Sequence, residues 1–316
     1  MNTIQLRSGA KLPAIGLGTW KSSPGKVKNA VETALKAGYQ HIDCAAVYQN
    51  EKEVGEAFAN TFNGNTIKRE DVWVTSKLWN NAHKKEDVIP ALKNTLKDLQ
   101  LDYLDLYLMH WSVAFRPDLD GFPENNDDFL SLDEVPIIET WEAMLEAKKQ
   151  GLVKHVGVSN FSSKKLKDLM SKTDDAPEMN QVELHPYLHQ DDLLQFCKEN
   201  EIALTGYSPL GSSDRTEEMK ADDEPSLLQN ELVQKIAEKR NATVAQVLIK
   251  WSVDRRTAVI PKSTNEGRIK ENLASEKIRL TEEDHEILKS LDKHYRYVNA
   301  KFFETSDGKY SNIYDE

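Results

Sequence analysis

Short apolar runs alternate with amphipathic stretches along almost the whole chain. Segments 3–6 and 11–14 flank Ser8-Gly9, and this turn pair predicts an N-terminal β-hairpin. AIGLG (14–18) is the first buried run. A helix opening at Ser23-Pro24 follows, with Val27, Ala30, Val31, Ala34 and Leu35 on one face and Gly38 as its stop. Strand-like runs then recur at 41–43, 72–76, 104–109, 153–159, 180–184, 202–207 and 257–260. Helical patterns fill the intervals at 51–62, 88–99, 137–149, 163–170, 191–199, 227–239 and 244–253. Two more, near 267–273 and 282–291, follow the last strand.

Eight strand–helix alternations predict a parallel sheet, because parallel neighbours need a helical crossover. Eight is also the number that closes a barrel. An open doubly wound sheet gives the same alternation, and the count favours the barrel. The expected architecture is therefore α/β: a (β/α)8 TIM barrel with an N-terminal hairpin, forming one domain over residues 1–316. Three stretches break the rhythm. They are the acidic 112–135 with Pro117, Gly121 and Pro123, the polar 211–225, and the tail 294–316, rich in Tyr, Phe, Asn and Asp. The first two follow strands four and seven, on the face where barrels carry their active sites. Long loops there read as lids or binding loops.

Composition narrows the class. Apolar residues make up 39% and charged residues 29%, with 14 Gly and 11 Pro, which excludes collagen, a coiled-coil rod and wholesale disorder. No stretch approaches the ~18 uninterrupted apolar residues of a membrane span. The first residues carry no apolar segment of the kind a secretory leader has, so none is expected. Cys44 and Cys197 cannot make a disulfide framework and read as reduced thiols in a cytoplasmic protein. Lys and Arg number 41 against 52 Asp and Glu, a net charge of −11. Such a chain suits neither nucleic acid nor anionic lipid, and a phosphorylated ligand would need a local cationic site.

Residues just past the strand ends of a barrel point into one mouth. Here those positions hold Thr19-Trp20, Asp43 with Tyr48, Lys77-Leu78-Trp79, His110-Trp111, Ser159-Asn160, Tyr207-Ser208-Pro209-Leu210 and Pro261-Lys262-Ser263-Thr264, with Gln181 inside strand six. Asp43, Tyr48, Lys77 and His110 converge at consecutive strand ends. A phenol's usual pKa of about 10 is too high for efficient proton transfer at neutrality. An ammonium beside it lowers that value, and Lys77 supplies one that Asp43 can keep charged. His110 can orient a substrate oxygen. Trp20, Trp79 and Trp111 suit an apolar pocket.

None of these side chains carries hydride, which points to a nicotinamide cofactor. Ser159, Asn160 and Gln181 suit a carboxamide, and the Tyr207 ring suits a nicotinamide face. PKSTNEGR (261–268) opens the helix after strand eight, and its Lys262, Ser263, Asn265 and Arg268 read as an anion site. No histidine spacing suits a metal.

These residues resemble the aldo-keto reductases, and the resemblance runs from LPAIGLGTW (12–20) to IPKSTNEGRIKEN (260–272). It is carried by GYQHIDCAAVYQNEKEVGEA (38–57), VWVTSKLW (72–79), LDLYLMHW (104–111), KHVGVSNF (154–161), NQVELHP (180–186) and GYSPLGS (206–212). The aldose, aldehyde and xylose reductases are most similar. The resemblance implies reduction of a small aldehyde or sugar with NADP(H), NAD(H) serving less well. Tyr48 would be the general acid, Lys77 and Asp43 its tuning pair, and His110 the orienting residue. Trp20, Val47, Trp79, His110, Trp111 and Phe122 would line the substrate pocket. Thr19, Trp20, Asp43, Ser159, Asn160, Gln181, Tyr207, Ser208, Pro209, Leu210, Ser212, Asp214, Lys262, Ser263, Thr264, Arg268, Glu271 and Asn272 would hold the cofactor. Lys262 and Arg268 would meet its adenosine phosphate, and 211–224 would be a strap over the pyrophosphate. The subunit is expected to be a monomer or a weak homodimer.

Other readings compete. A Rossmann dehydrogenase would want a third glycine, but Gly16-Leu17-Gly18 runs into Thr19-Trp20-Lys21. Tyr48 and Lys52 spell Y-x-x-x-K, yet position 48 leaves no room for a nucleotide-binding half before it. A Schiff-base aldolase would use Lys77 as nucleophile. A catalytically weak barrel would serve as an NADP-binding structural or regulatory protein.

Overall fold

The computed structural model describes residues 2–64, 67–119, 121–212, 215, 220, 221 and 223–316. Strands β1 (Thr3–Gln5) and β2 (Lys11–Pro13) form the expected antiparallel hairpin. The barrel strands follow in two groups. The first is β3 (Leu17–Gly18), β4 (His41–Asp43), β5 (Trp73–Leu78) and β6 (Leu104–Met109). Then come a small antiparallel pair, β7 (Ala114–Phe115) and β8 (Phe129–Leu130), and the second group, β9 (Val153–Ser159), β10 (Met179–Glu183), β11 (Ala203–Tyr207) and β12 (Ala258–Val259).

The eight barrel strands pair in parallel in chain order. Parallel bridges from Ile15 to Val259 and from Gly18 to Lys262 join the first strand to the last. Gly16 N–H donates to Val259 O at 2.9 Å, and Val259 N–H to Ala14 O at 2.8 Å. The sheet is thus a closed barrel, and the open doubly wound alternative falls. A Cβ on Gly18 would stand 2.8 Å from Ile260 O, so only glycine lets the seam close there.

Helices α1 (Val27–Ala37), α2 (Glu51–Phe62), α3 (Lys85–Leu99), α4 (Ile137–Lys149), α5 (Ser163–Met170) and α6 (Asp191–Glu199) pack outside the sheet, followed by α7 (Glu231–Lys239), α8 (Val244–Asp254), α9 (Glu266–Ala274) and α10 (Glu282–Lys289). Their apolar stripes meet the outer face of the strands in one cluster that includes Val31, Phe58, Leu92, Trp141, Leu166 and Val247. Strands covered on both faces lose the polar–apolar alternation, and all six positions of β6 are buried. Leu6 and Leu12 of the hairpin pack on Leu106, Leu108, Met179 and Ala258, so the hairpin plugs the end of the barrel opposite the mouth. No helix among the described residues is long and apolar enough to cross a membrane.

Several boundaries differ from the periodic pattern. Helix α1 begins at Val27, because the chain after Pro24 first makes a turn, and Gly38 ends it with φ 103° as expected. Helix α3 begins at Lys85 rather than 88, with Glu86 and Asp87 in the first turn, where carboxylates meet the positive end of the helix dipole. Helix α7 begins at Glu231 rather than 227, since the Asn230 side chain caps it by accepting from the Leu232 and Val233 amides. The stretch 112–135, expected to be irregular, contains the β7–β8 pair.

Candidate active site

The mouth of the barrel holds one cavity of about 340 Å³. Its lining runs from Trp20, Val47, Tyr48, Trp79, His110, Trp111 and Phe122, past Thr19, Asp43, Ser159, Asn160 and Gln181, to Tyr207, Ser208, Pro209, Leu210, Ser212, Lys262, Ser263, Thr264 and Arg268. Every one of these was singled out from the sequence. Glu271 and Asn272 do not line it. The Glu271 carboxylate instead accepts from Thr243 Oγ1 at 2.8 Å, and Asn272 is buried. Asp214 lies outside the described residues. Val298 and Phe302 of the tail line the cavity without having been foreseen, and Gly18, Leu228, Ile260 and Pro261 also contribute. The aromatic richness of 294–316 signals Phe302, whereas Val298 carries no such mark in the sequence.

Asp43 ends β4, and Tyr48 closes the 3₁₀ turn Ala46–Tyr48 that follows. Lys77 lies in β5, and His110 stands just past β6. Lys77 and Asp43 are each only 1% exposed. Lys77 Nζ donates to Asp43 Oδ1 at 2.5 Å, to Cys44 O at 2.9 Å and to Tyr48 Oη at 3.3 Å. The other Asp43 oxygen accepts from Gln181 Nε2 at 2.7 Å. Burial disfavours the Lys77 charge, but Asp43 and Tyr48 outweigh it and hold the lysine pKa above its ordinary value. A buried ion pair satisfied at every donor and acceptor is the form such pairs need to persist.

The Tyr48 phenol departs from expectation. Burial raises its pKa above 10, and the pull of Lys77 in the other direction does not reverse this. The phenol therefore keeps its proton, which is the state a proton donor requires. His110 moves the opposite way. Burial, then Lys77 and His83, holds its pKa well below 6.5, so the imidazole is neutral. Its Nδ1 is buried without a partner among the described residues, and its ring meets Tyr48 at 6.0 Å and Trp79 at 5.3 Å between centroids.

The polar strip is interlocked. Ser159 Oγ donates to Gln181 O at 2.8 Å, Asn160 Nδ2 to His110 O at 3.0 Å, and Tyr207 Oη to Asn160 Oδ1 at 2.7 Å. Thr19 Oγ1 donates to Asp43 O at 2.8 Å, and Asn50, which sequence reasoning missed, donates to Thr19 O at 2.9 Å. Asn160, Ser208 and Ser212 all have positive φ, of 62°, 52° and 44°. Such strained backbone concentrates where side chains must be aimed. At the far end, Asn265 caps α9 by accepting from the Arg268 amide, which leaves Lys262, Ser263 and Arg268 around the start of that helix. Phe122 and Phe302, 55% and 41% exposed, stand at the rim with ring centroids 6.0 Å apart.

The family model described as Aldo/keto reductase family matches residues 14–293. An aldo/keto reductase of Synechocystis sp. is 48% identical over 318 residues, covering 100% of this chain and 97% of its own. Aldo-keto reductase family 1 member A1 of Gallus gallus is 48% identical over 296 residues, or 93% of this chain and 90% of its own. The solved aldose reductase of Schistosoma japonicum superposes with a TM-score of 0.88 at 37% identity, with 96% of each chain covered. Barrel, mouth and relatives together define an oxidoreductase that reduces carbonyl compounds. The chain belongs to the aldo/keto reductase family. That family generally works with a nicotinamide cofactor.

Proposed function

We propose that this chain is an NADPH-preferring aldehyde or aldose reductase in which Tyr48 is the proton donor. The observation that carries the reading is the Tyr48–Lys77–Asp43 chain of hydrogen bonds, opening into a cavity that continues unbroken to the start of α9. A nicotinamide cofactor held in this cavity would supply the hydride that the carbonyl carbon needs. Tyr48 Oη gives its proton to the carbonyl oxygen, completing the alcohol. Lys77 stabilises the phenolate left behind, and Asp43 keeps Lys77 charged through the step. Gln181 holds the second Asp43 oxygen, so the carboxylate cannot swing away. Neutral His110 orients the carbonyl oxygen by a hydrogen bond. Trp20, Val47, Trp79, Trp111 and Phe122 enclose the substrate and keep water out.

The donor set fits a dinucleotide. Ser159, Asn160 and Gln181 would hold the carboxamide, and Tyr207 the nicotinamide face. Thr19, Trp20 and Asp43, next to Tyr48 and Gln181, would meet the nicotinamide end, and Ser208, Pro209, Leu210 and Ser212 would hold the middle of the molecule. Lys262, Ser263, Thr264 and Arg268 at the helix start would hold the adenosine phosphate. Glu271 and Asn272 would be reached only by the outer end of the cofactor. Use of Lys77 as a Schiff-base nucleophile is not favoured, because its ion pair keeps the amine protonated and without a lone pair. We propose further that the protein is a single domain, works as a monomer or weak homodimer, and resides in the cytoplasm, where the buried free thiols of Cys44 and Cys197 stay reduced.

The test is a screen of NADPH and NADH oxidation against aldehydes and sugars. Turnover is expected with NADPH, and no oxidation of either cofactor with any compound would defeat the reading. Tyr48→Phe should lose about 10²–10⁴-fold in kcat while NADPH binding is retained.

A further inference from the structure

Glu183 belongs to the NQVELHP segment, yet neither the proton relay nor the cofactor strip uses it. It ends β10, two residues past Gln181 and in register with Tyr207. Its side chain is wholly buried. One carboxylate oxygen accepts from the Tyr297 amide at 2.6 Å and from His185 Nε2 at 2.8 Å. The other accepts from the Val298 amide at 2.9 Å. A carboxylate can only accept, so His185 donates through Nε2, consistent with an Nδ1 that has no partner among the described residues.

A buried carboxylate is costly unless every oxygen is satisfied, and here three donors do so. Two of them are consecutive backbone amides, presented side by side by the irregular chain at 297–298. They belong to the point where the irregular tail reaches the cavity. Val298 lines that cavity, and its carbonyl accepts from Tyr314 Oη at 2.8 Å, whose ring lies 6.1 Å from Trp111. Tyr297 is held on its other side as well, since its carbonyl accepts from Arg215 Nη1 at 2.5 Å. Tyr297 Oη also donates to Pro225 O at 2.7 Å, and the Lys293 and Tyr295 amides to Tyr187 O at 3.1 and 2.9 Å, while Glu183 holds the two amides next to the cavity.

We infer that Glu183 is a positioning residue for substrate choice: by gripping the Tyr297 and Val298 amides from the end of β10, it sets the part of the pocket wall that Val298 forms beside Trp79 and Trp111. The Glu183 backbone pairs with Tyr207, but its carboxylate is spent on the tail amides and His185 rather than on the relay or the cofactor strip. Its influence should therefore fall on aldehydes with a bulky apolar substituent, which reach Val298 and Phe302, and spare small ones that reach only Tyr48 and His110. This rests on the reductase reading above.

The experiment uses Glu183→Gln in the full chain. The amide keeps the shape but turns one acceptor into a donor that faces another donor. Exchange of the Tyr297 and Val298 amides, followed by mass spectrometry or NMR, should quicken by about tenfold or more. KM for 2-naphthaldehyde should rise roughly tenfold with kcat little changed, while KM for glyceraldehyde moves less than about twofold. Unchanged exchange in a folded variant, or both KM values moving together, overturns the inference. Val298→Ala covers the case of a variant that does not fold: it should raise KM for the bulky aldehyde alone, and equal effects on the two aldehydes again overturn it. Exchange does not depend on turnover. A tail that loosens in a protein that reduces nothing defeats the reductase reading, whereas a tail that stays protected in an active enzyme defeats this one.

Discussion

Lys77 Nζ and Asp43 Oδ1 lie 2.5 Å apart with both side chains almost wholly out of solvent. Neither charge is tolerable without the other in that setting. Lys77→Met should therefore destabilise the fold by about 3–5 kcal/mol, because it leaves Asp43 buried and unpaired. Adding Asp43→Asn should restore part of that stability while activity stays lost. Urea denaturation of the two variants decides the matter. A double variant no more stable than the single one would show that the pair's contribution is not electrostatic.

The two proton-bearing groups facing the substrate are shifted in opposite directions. Burial raises the Tyr48 phenol above 10 against the pull of Lys77, and burial with Lys77 and His83 holds His110 well below 6.5. Tyr48 thus remains a proton donor, and His110 neutral, across the whole neutral range. The kcat for carbonyl reduction should be level from about pH 6.5 to 9 and fall only as the phenol ionises at higher pH. A profile with an inflection near 6.5 that disappears in His110→Asn would contradict this assignment.

Much of this was legible before any coordinates, for identifiable reasons. LDLYLM (104–109) reads as a strand because a parallel strand covered on both faces is a short continuous apolar run, and β6 has those bounds. Asp43, Lys77 and His110 could be grouped because chain order alone places consecutive strand ends side by side. The tail could not be placed that way. Val298 meets Glu183 across 115 residues of sequence, and no local periodicity encodes such a contact. The β7–β8 pair escaped because two-residue strands carry too few positions to show alternation. The direction of the Tyr48 shift escaped because a neighbour's charge can be read from residue type, whereas depth of burial cannot.

The far end of the cavity bears on cofactor choice. Lys262 and Arg268 stand where α9 begins, in a chain whose net charge is −11. Hydrogen bonds between charged partners contribute about 1.5–3 kcal/mol each. Lys262→Ala and Arg268→Ala should then weaken NADPH binding by roughly ten- to a hundredfold apiece, and NADH binding far less. Titration of tryptophan fluorescence with each cofactor measures the difference. Equal losses for the two cofactors would remove the adenosine phosphate from this position.

Glu51 opens α2 three residues past Tyr48 and carries a carboxyl that is almost fully buried. Burial raises its pKa to about 7, although Ser76 Oγ donates to it at 2.5 Å. The unfolded chain would titrate this group near its ordinary value of 4.5. Between those two values the folded protein holds more proton than the unfolded one, so stability contributed by this group is lost as pH rises through the window. Below 4.5 both states are protonated and the penalty vanishes. Above 7 it is complete, on the order of 3 kcal/mol at ~1.4 kcal/mol per pKa unit. Glu51→Gln keeps the shape and removes the charge. Relative to the natural protein it should gain stability at pH 8 and lose that advantage by pH 4.5. Chemical denaturation at the two pH values tests this, and a variant destabilised equally at both would mean that the carboxylate is held charged in the fold by Ser76 and Lys77.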